Sequence, residues 1–316
     1  MKHLKEILKP APRNYRSNRI CLVYDRTGWA FHRIAEQMAH FLLQHGYFPL
    51  LIDCTQNIPP NVAGIIFIWW HSAKRHLFHI PSDCHVYTTV YDHFTYHTPA
   101  SYMCLHRILM RSSRIFASNP FLLEEFHKKG LGDPILLSDG VDPQFFDYEY
   151  TFTPDKNITI GWAGNSQLGM TLKGLDLLTQ ACQKTGAILR IADREVSPVA
   201  FCNMPAWHKA NDVIACASSS EGGPNPVLEG CATGRVVLST PVGVVPSILK
   251  ATEGGVITER KVEAITQGIE YLRQHKDLFP GWGALNRLEI LKRFAWNVVL
   301  TPLVSALKED IPVDVS

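Results

Sequence analysis

Two successive series of short apolar runs, each run followed by an amphipathic stretch, constrain this chain more than any other feature. The first opens with ICLVY (Ile20 to Tyr24), and residues 30–45 then carry apolar side chains at helical spacing up to Gly46. YFPLLID, GIIFIWW, HVYTTVY, IFAS near Ile115 and ILLS near Ile135 continue it. ITIGWAG (Ile158 to Gly164) restarts the pattern, with a helix expected over residues 173–185, then ILRIA, DVIACAS and RVVLST. Near-continuous apolar strands alternating with helices read as parallel sheets covered on both faces. Two such series give two doubly wound, Rossmann-like α/β domains, and 316 residues suffice for two cores. The polar stretch Asp147 to Asn157, with Pro154 as a breaker, places the expected boundary between 1–150 and 151–316.

Several classes are excluded early. No apolar run approaches the roughly 20 residues that span a bilayer, and Ala63 to Trp70 is the best. The basic start MKHLKEILKPAPR lacks a long apolar centre and a cleavage site, so no secretory signal is expected. The eight cysteines form no C-x-x-C pair, which argues against a zinc ribbon and for reduced thiols in the cytoplasm. Residues 1–114 hold 13 lysines and arginines against 6 acids, a net +7, while the remainder carries −5 of the +2 total. That asymmetry suggests an anionic partner for the first half, a phosphorylated acceptor, membrane surface or nucleic acid; a solvated basic face is the plain alternative.

G-x-G-x-x-G, the Walker lysine loop and the G-x-S-x-G elbow are all absent. No D-x-D occurs, which removes a usual metal anchor for a nucleotide diphosphate. The informative stretch is DVIACASSSEGGPNPVLEGCATGRVVLSTPVGVVP, from Asp212 to Pro246. A strand runs into a serine-rich turn, Glu221, Gly222 and Gly223 follow, and Pro226 opens a helix closed by Gly234. A helix start at the carboxyl end of a parallel strand is an anion site, and the paired glycines let a ligand approach the backbone. Glu221 before the helix and Glu229 in its expected first turn would accept hydrogen bonds from hydroxyls; a nucleotide sugar offers both hydroxyls and phosphate.

The spacing Glu221-x7-Glu229 within SEGGPNPVLEGCATG resembles the E-x7-E region of family 4 retaining glycosyltransferases. SDGVDPQFF (Ser138 to Phe146), KGLDLL (Lys173 to Leu178), MPAWHKANDV (Met204 to Val213), DRTGWAF (Asp25 to Phe31) and RFAWNVV (Arg293 to Val299) resemble other segments of that family in order. The resemblance implies a GT-B fold, two domains facing a cleft, with an acceptor-binding first domain and a donor-binding second. It implies a last helix, about 296–310, crossing back to the first domain. It also implies a metal-independent hexosyltransferase that moves a sugar with retention from a UDP- or GDP-sugar co-substrate, with no resident cofactor. A glycan or lipid-linked saccharide acceptor comes first, at a cytoplasmic site or peripherally at a membrane.

On the same basis Glu221 would contact the transferred sugar, Glu229 the ribose and Lys173 the diphosphate. Gly164, Gly222, Gly223, Asn225 and the Gly28 loop would line the donor. Taken singly, each glutamate also reads as a surface carboxylate and Lys173 as a helix-start lysine. The sequence departs from the family at two points. Asn165 follows Gly164 where an arginine is usual, so Arg194 or Arg190 is the expected replacement cation. Tyr91 stands where a histidine is usual, so Asp92 or His93 is expected near the reacting carbon. Seven histidines fall between His71 and His106, but the strand-like TTVY and Pro99 argue against a helical metal pair at His93 and His97. Trp69 and Trp70 suit core packing or stacking on a sugar or base. Rival readings are a sugar-nucleotide epimerase, a glycosyltransferase acting on nucleic acid bases, and a catalytically silent GT-B module that binds a nucleotide sugar.

Overall fold

A computed structural model describes residues 18–91, 93, 98–148, 157–168 and 170–313 of the chain. It forms two compact units, one ending at Leu137 and regaining the chain from Leu300, the other Ser138–Val299. The division therefore falls after Leu137, ahead of the polar stretch singled out in the sequence.

The first unit holds a six-stranded sheet of β1 (Arg19–Tyr24), β2 (Phe48–Asp53), β3 (Gly64–Phe67), β4 (His85–Val90), β5 (Arg114–Ala117) and β6 (Ile135–Leu136). The order is β2-β1-β3-β4-β5-β6 and every pairing is parallel. Helices α1 (Ala30–Gln44), α2 (Pro99–Arg111) and α3 (Pro120–Lys129) cover it. The Thr98 side chain accepts from the Ser101 amide and the Asn119 side chain from the Leu122 amide, so α2 and α3 start on capping residues with proline in the first turn. Phe67, Trp70, Leu105, Phe116 and Phe126 are buried without exposure. The GIIFIWW run is strand only to Phe67, and Trp70–Ala73 turns as a 3-10 helix that sinks Trp70 into the core.

The second unit carries β7 (Thr159–Gly164), β8 (Ile188–Asp193), β9 (Val213–Cys216), β10 (Val236–Ser239) and β11 (Gly255–Ile257), in the order β11-β10-β9-β7-β8, again all parallel. Its helices are α4 (Met170–Lys173), α5 (Leu175–Thr185), α6 (Met204–Lys209), α7 (Asn225–Ala232), α8 (Val245–Thr252), α9 (Val262–Gln274), α10 (Phe279–Glu289) and α11 (Trp296–Val299). The expected 173–185 helix is interrupted at Gly174, whose φ of +64° breaks the ladder between α4 and α5. In both sheets the order reverses beside the first strand, at β1/β3 and at β7/β9. In open α/β sheets the crevice at the carboxyl ends of those two strands is where ligands bind.

The last helix, α12 (Thr301–Asp310), packs in the first unit. Asp310 accepts from Arg114 Nε at 3.1 Å and Nη2 at 2.7 Å, and from the Tyr87 hydroxyl at 3.1 Å. The Tyr47 hydroxyl donates to the Ile311 carbonyl at 3.0 Å. Those bonds from Arg114, led by the guanidinium contact, hold the Asp310 carboxyl below the usual range against the opposing effect of burial. Among the described residues no helix is long and apolar enough to cross a membrane.

Candidate functional site

At the carboxyl edge of the second sheet, the turn after β9 is held from several sides. Thr240 Oγ1, itself buried, donates to the Ser218 carbonyl at 2.6 Å. The Ser219 amide donates to the Leu172 carbonyl at 2.9 Å, and Arg260 Nε donates to the Ala217 carbonyl at 3.0 Å. Gly174 presses on the same carbonyl: a Cβ there would sit 2.2 Å from Ala217 O. The turn after β7 and the turn after β9 are thus locked together, which brings Lys173 beside Glu221.

Lys173 Nζ donates to Glu221 Oε1 at 2.7 Å, and the buried Ser218 hydroxyl donates to the same oxygen at 2.7 Å. Side-chain exposure of the pair is 26% and 15%, so both reach the surface without being freely solvated. Burial pulls the Lys173 pKa down, but the charge and hydrogen bond of Glu221 outweigh it and leave the ammonium held above its ordinary value. The cation expected for a diphosphate and the carboxylate expected for a sugar are one ion pair here.

Beyond the turn, α7 begins at Asn225, not Pro226, and no side chain caps its amino end. Glu229 therefore lies past the first helical turn rather than within it. Its Oε2 is 3.0 Å from His208 Nε2, and the two side chains are 13% and 0% exposed. His208, the penultimate residue of α6, stands edge-on to Phe146 at 5.8 Å, and its Nδ1 has no hydrogen-bond partner among the described residues. The Glu229 carboxylate can only accept, so a ring hydrogen on Nε2 points at it. The sequence carries no signal for His208, a single histidine in MPAWHK beside the apolar Met204 and Trp207.

Gly223 has a reason internal to the unit, because a Cβ there would meet Asp139 Oδ2 at 2.7 Å. Gly243, at φ +54°, packs on the same turn: a Cβ there would stand 2.8 Å from the Gly222 carbonyl. Gly164 ends β7 against the Trp162 ring. Asn165 is committed to the loop: its Oδ1 accepts from the Gln167 amide at 3.0 Å and its Nδ2 donates to Glu195 at 3.4 Å. Asp193 organises the same edge, accepting from the amides of Ser166, Glu195 and Val196. Arg194 follows directly, its amide on the Gly164 carbonyl at 2.9 Å, so it stands at the carboxyl edge of the sheet. Arg190 does not: it is registered with Gly161 in mid-strand, and its guanidinium donates to the Ala210 carbonyl. Arg260 is a third cation at this edge, one that the sequence had not indicated.

The first unit presents its own groups. Gly28 has φ +76°, and its amide donates to His32 Nδ1 at 3.3 Å. Tyr91, after β4, is buried edge-on to Phe31 at 4.9 Å, so its ring is packing. His93 Nδ1 lies 2.8 Å from Glu125 Oε1 on α3, which fixes the imidazole and leaves Nε2 for another partner. Asp92 lies outside the described residues, as does His97. Trp69 stacks with Phe31 at 5.3 Å and with His71 at 4.1 Å. Among the described residues no cluster of three metal-ligating side chains occurs, and all eight cysteines are free. Burial pushes the thiols of Cys21 and Cys231 up to about 12, as suits packing residues rather than nucleophiles.

Residues 179–275 match the sequence profile of the family described as Glycosyl transferases group 1, a stretch that includes both glutamates and His208. No curated protein matches the chain by sequence. Among solved structures, a sucrose-phosphate synthase from Thermosynechococcus elongatus superposes with a TM-score of 0.75 at 11% identity, over 92% of this chain and 98% of that one. A glycosyltransferase from Rickettsia africae gives 0.73 at 16% identity, over 96% and 100%. The Anabaena protein Alr3699/HepE, in complex with UDP and glucose, gives 0.73 at 11% identity, over 92% and 100%. The fold is that of the GT-B glycosyltransferases, two parallel-sheet α/β domains.

Proposed function

We propose that the protein is a retaining, metal-independent glycosyltransferase that uses a nucleotide-diphosphate sugar. The observation that carries this reading is the convergence of Lys173, Ser218 and Glu221 on the β9 turn, with Glu229 on the following helix α7 bonded to His208 of α6. In the reaction the bond between the anomeric carbon and the diphosphate oxygen breaks. The acceptor hydroxyl oxygen bonds that carbon, and its proton leaves with the released nucleoside diphosphate or a base.

Each group has a part consistent with its surroundings. Lys173 moves from Glu221 to the diphosphate as charge develops on the leaving group, and Arg194 or Arg260 supplies the second cation that Asn165 cannot. Glu221, relieved of its cation, accepts from sugar hydroxyls, while Glu229 accepts from the ribose. UDP is the first nucleotide to consider, because it is bound by the Anabaena neighbour. The first unit takes the acceptor, a glycan or lipid-linked saccharide, and His93, oriented by Glu125, or Asp92 serves near the reacting carbon.

The test is incubation with UDP-glucose or GDP-mannose and an alkyl glycoside acceptor in EDTA, with the product anomer read by NMR. Transfer with the donor's configuration kept supports the reading; an inverted product or a metal requirement overturns those parts of it. Full turnover in both Asp92→Asn and His93→Ala removes both from the chemistry. A second reading, a silent nucleotide-sugar module, draws on Asn165 and Tyr91, whose side chains are engaged within the fold. Nucleotide binding without any transfer would favour it.

A further inference from the structure

On α10 and the π-helical turn that continues it, Ile290–Phe294, the outward face is apolar where a surface helix normally carries charge. Leu285, Leu288 and Leu291 are 47%, 59% and 42% exposed, and helical spacing puts them on one side with Gly281 and Ala284. The opposite side, through Phe279, Gly283, Asn286 and Ile290, is buried. The one charge on the leucine side is Lys292; Arg293 follows, held by Glu289 at 2.5 Å yet 42% exposed. At the other end the half-buried Trp282 stacks with the exposed Tyr271, their centroids 6.5 Å apart at 14°. Those two rings line a cavity of about 450 Å³ with Lys250 and Glu253 at its rim.

We infer that this face docks on an anionic lipid bilayer. Leucines project from a ridge, two adjacent cations stand at one end and an indole–phenol pair at the other. That sequence of groups matches acyl boundary, anionic headgroups and polar interface. A second copy of the chain fits less well: the exposed leucines amount to a few hundred Å², against ~800 Å² per partner in a stable dimer. Three opposing carboxylates lie nearby, Glu289 bound to Arg293, Glu253 lining the cavity and Asp277 before α10, so the attraction rests chiefly on Lys292. The inference does not depend on the donor-site reading, and it puts membrane contact on the second unit rather than on the basic first half.

The experiment is co-sedimentation of the full chain with vesicles of phosphatidylcholine alone or with 30% phosphatidylglycerol. The wild type is expected to sediment with the anionic vesicles and to be released by 0.5 M salt. Leu285→Glu/Leu288→Glu should weaken that binding at least tenfold while thermal unfolding stays within a few degrees of wild type. Lys292→Ala should weaken it less and flatten its salt dependence. Unchanged sedimentation of the double variant would overturn the assignment and return the contact to the basic first half. A lipid-free wild-type dimer that Leu288→Glu converts to monomer would overturn it in favour of a second copy.

Discussion

Replacing His208 by alanine removes the group that fixes Glu229. The imidazole is fully buried and its Nε2 lies 3.0 Å from a carboxylate that is itself only 13% exposed. Two costs follow: the vacated volume behind α7, and a nearly buried carboxylate that loses its donor, each about 1–3 kcal/mol. Unfolding by urea should therefore lose about 2–6 kcal/mol. If Glu229 reads the ribose, a nucleotide affinity loss of about 1–3 kcal/mol accompanies this, roughly five- to 150-fold by calorimetry with UDP. Two further readouts separate orientation from general damage. Glu229→Gln and the double variant close a cycle whose coupling should be about 0.5–3 kcal/mol. In addition, 2′-deoxy-UDP should bind the wild type more weakly than UDP but bind His208→Ala about equally well. Wild-type UDP affinity in His208→Ala, with zero coupling to Glu229, would show that His208 does not orient Glu229 for the nucleotide, even if stability fell.

Lys173→Ala should weaken UDP by about tenfold or more yet leave UMP nearly unaffected, because a single charge at the diphosphate is what it removes; calorimetry with both nucleotides checks this. Gly174→Ala places a Cβ 2.2 Å from the Ala217 carbonyl oxygen at φ +64°, and urea unfolding should show a loss of about 2–4 kcal/mol. The depressed pKa of Asp310 sets a pH dependence. The stability from its bonds to Arg114 and Tyr87 is present above the ordinary carboxylate range and is lost as pH falls through the lower folded value. Between about pH 5 and pH 2 the wild type should lose more stability than Asp310→Asn.

The strands were legible because buried parallel strands are apolar at nearly every position, and β1, β7 and β9 needed no alternation to be found. β11 escaped notice because three residues, GVI, are too few to register as a run. The Gly174 break was hidden for a different reason: a glycine inside a helical pattern is ordinary until a neighbour such as the Ala217 carbonyl forbids a Cβ. Trp69 and Trp70 looked like strand because the sequence gives no sign that the chain turns after Phe67. In the candidate site, Glu221, Glu229, Lys173 and the paired glycines were named from one contiguous pattern plus a distant lysine. What holds them was not legible. His208, Thr240 and Arg260 act through tertiary hydrogen bonds to groups 21, 22 and 43 positions away, and no local periodicity encodes such distances. The two glycines were read as room for a ligand, whereas Gly223 is also required by Asp139.

Calorimetry of the full chain against UDP, GDP and ADP in EDTA tests the donor-site account most directly. One nucleotide, UDP first, should bind without metal, and Glu229→Ala should abolish the binding. Failure of all three to bind, or binding of equal strength in Glu229→Ala, would contradict it.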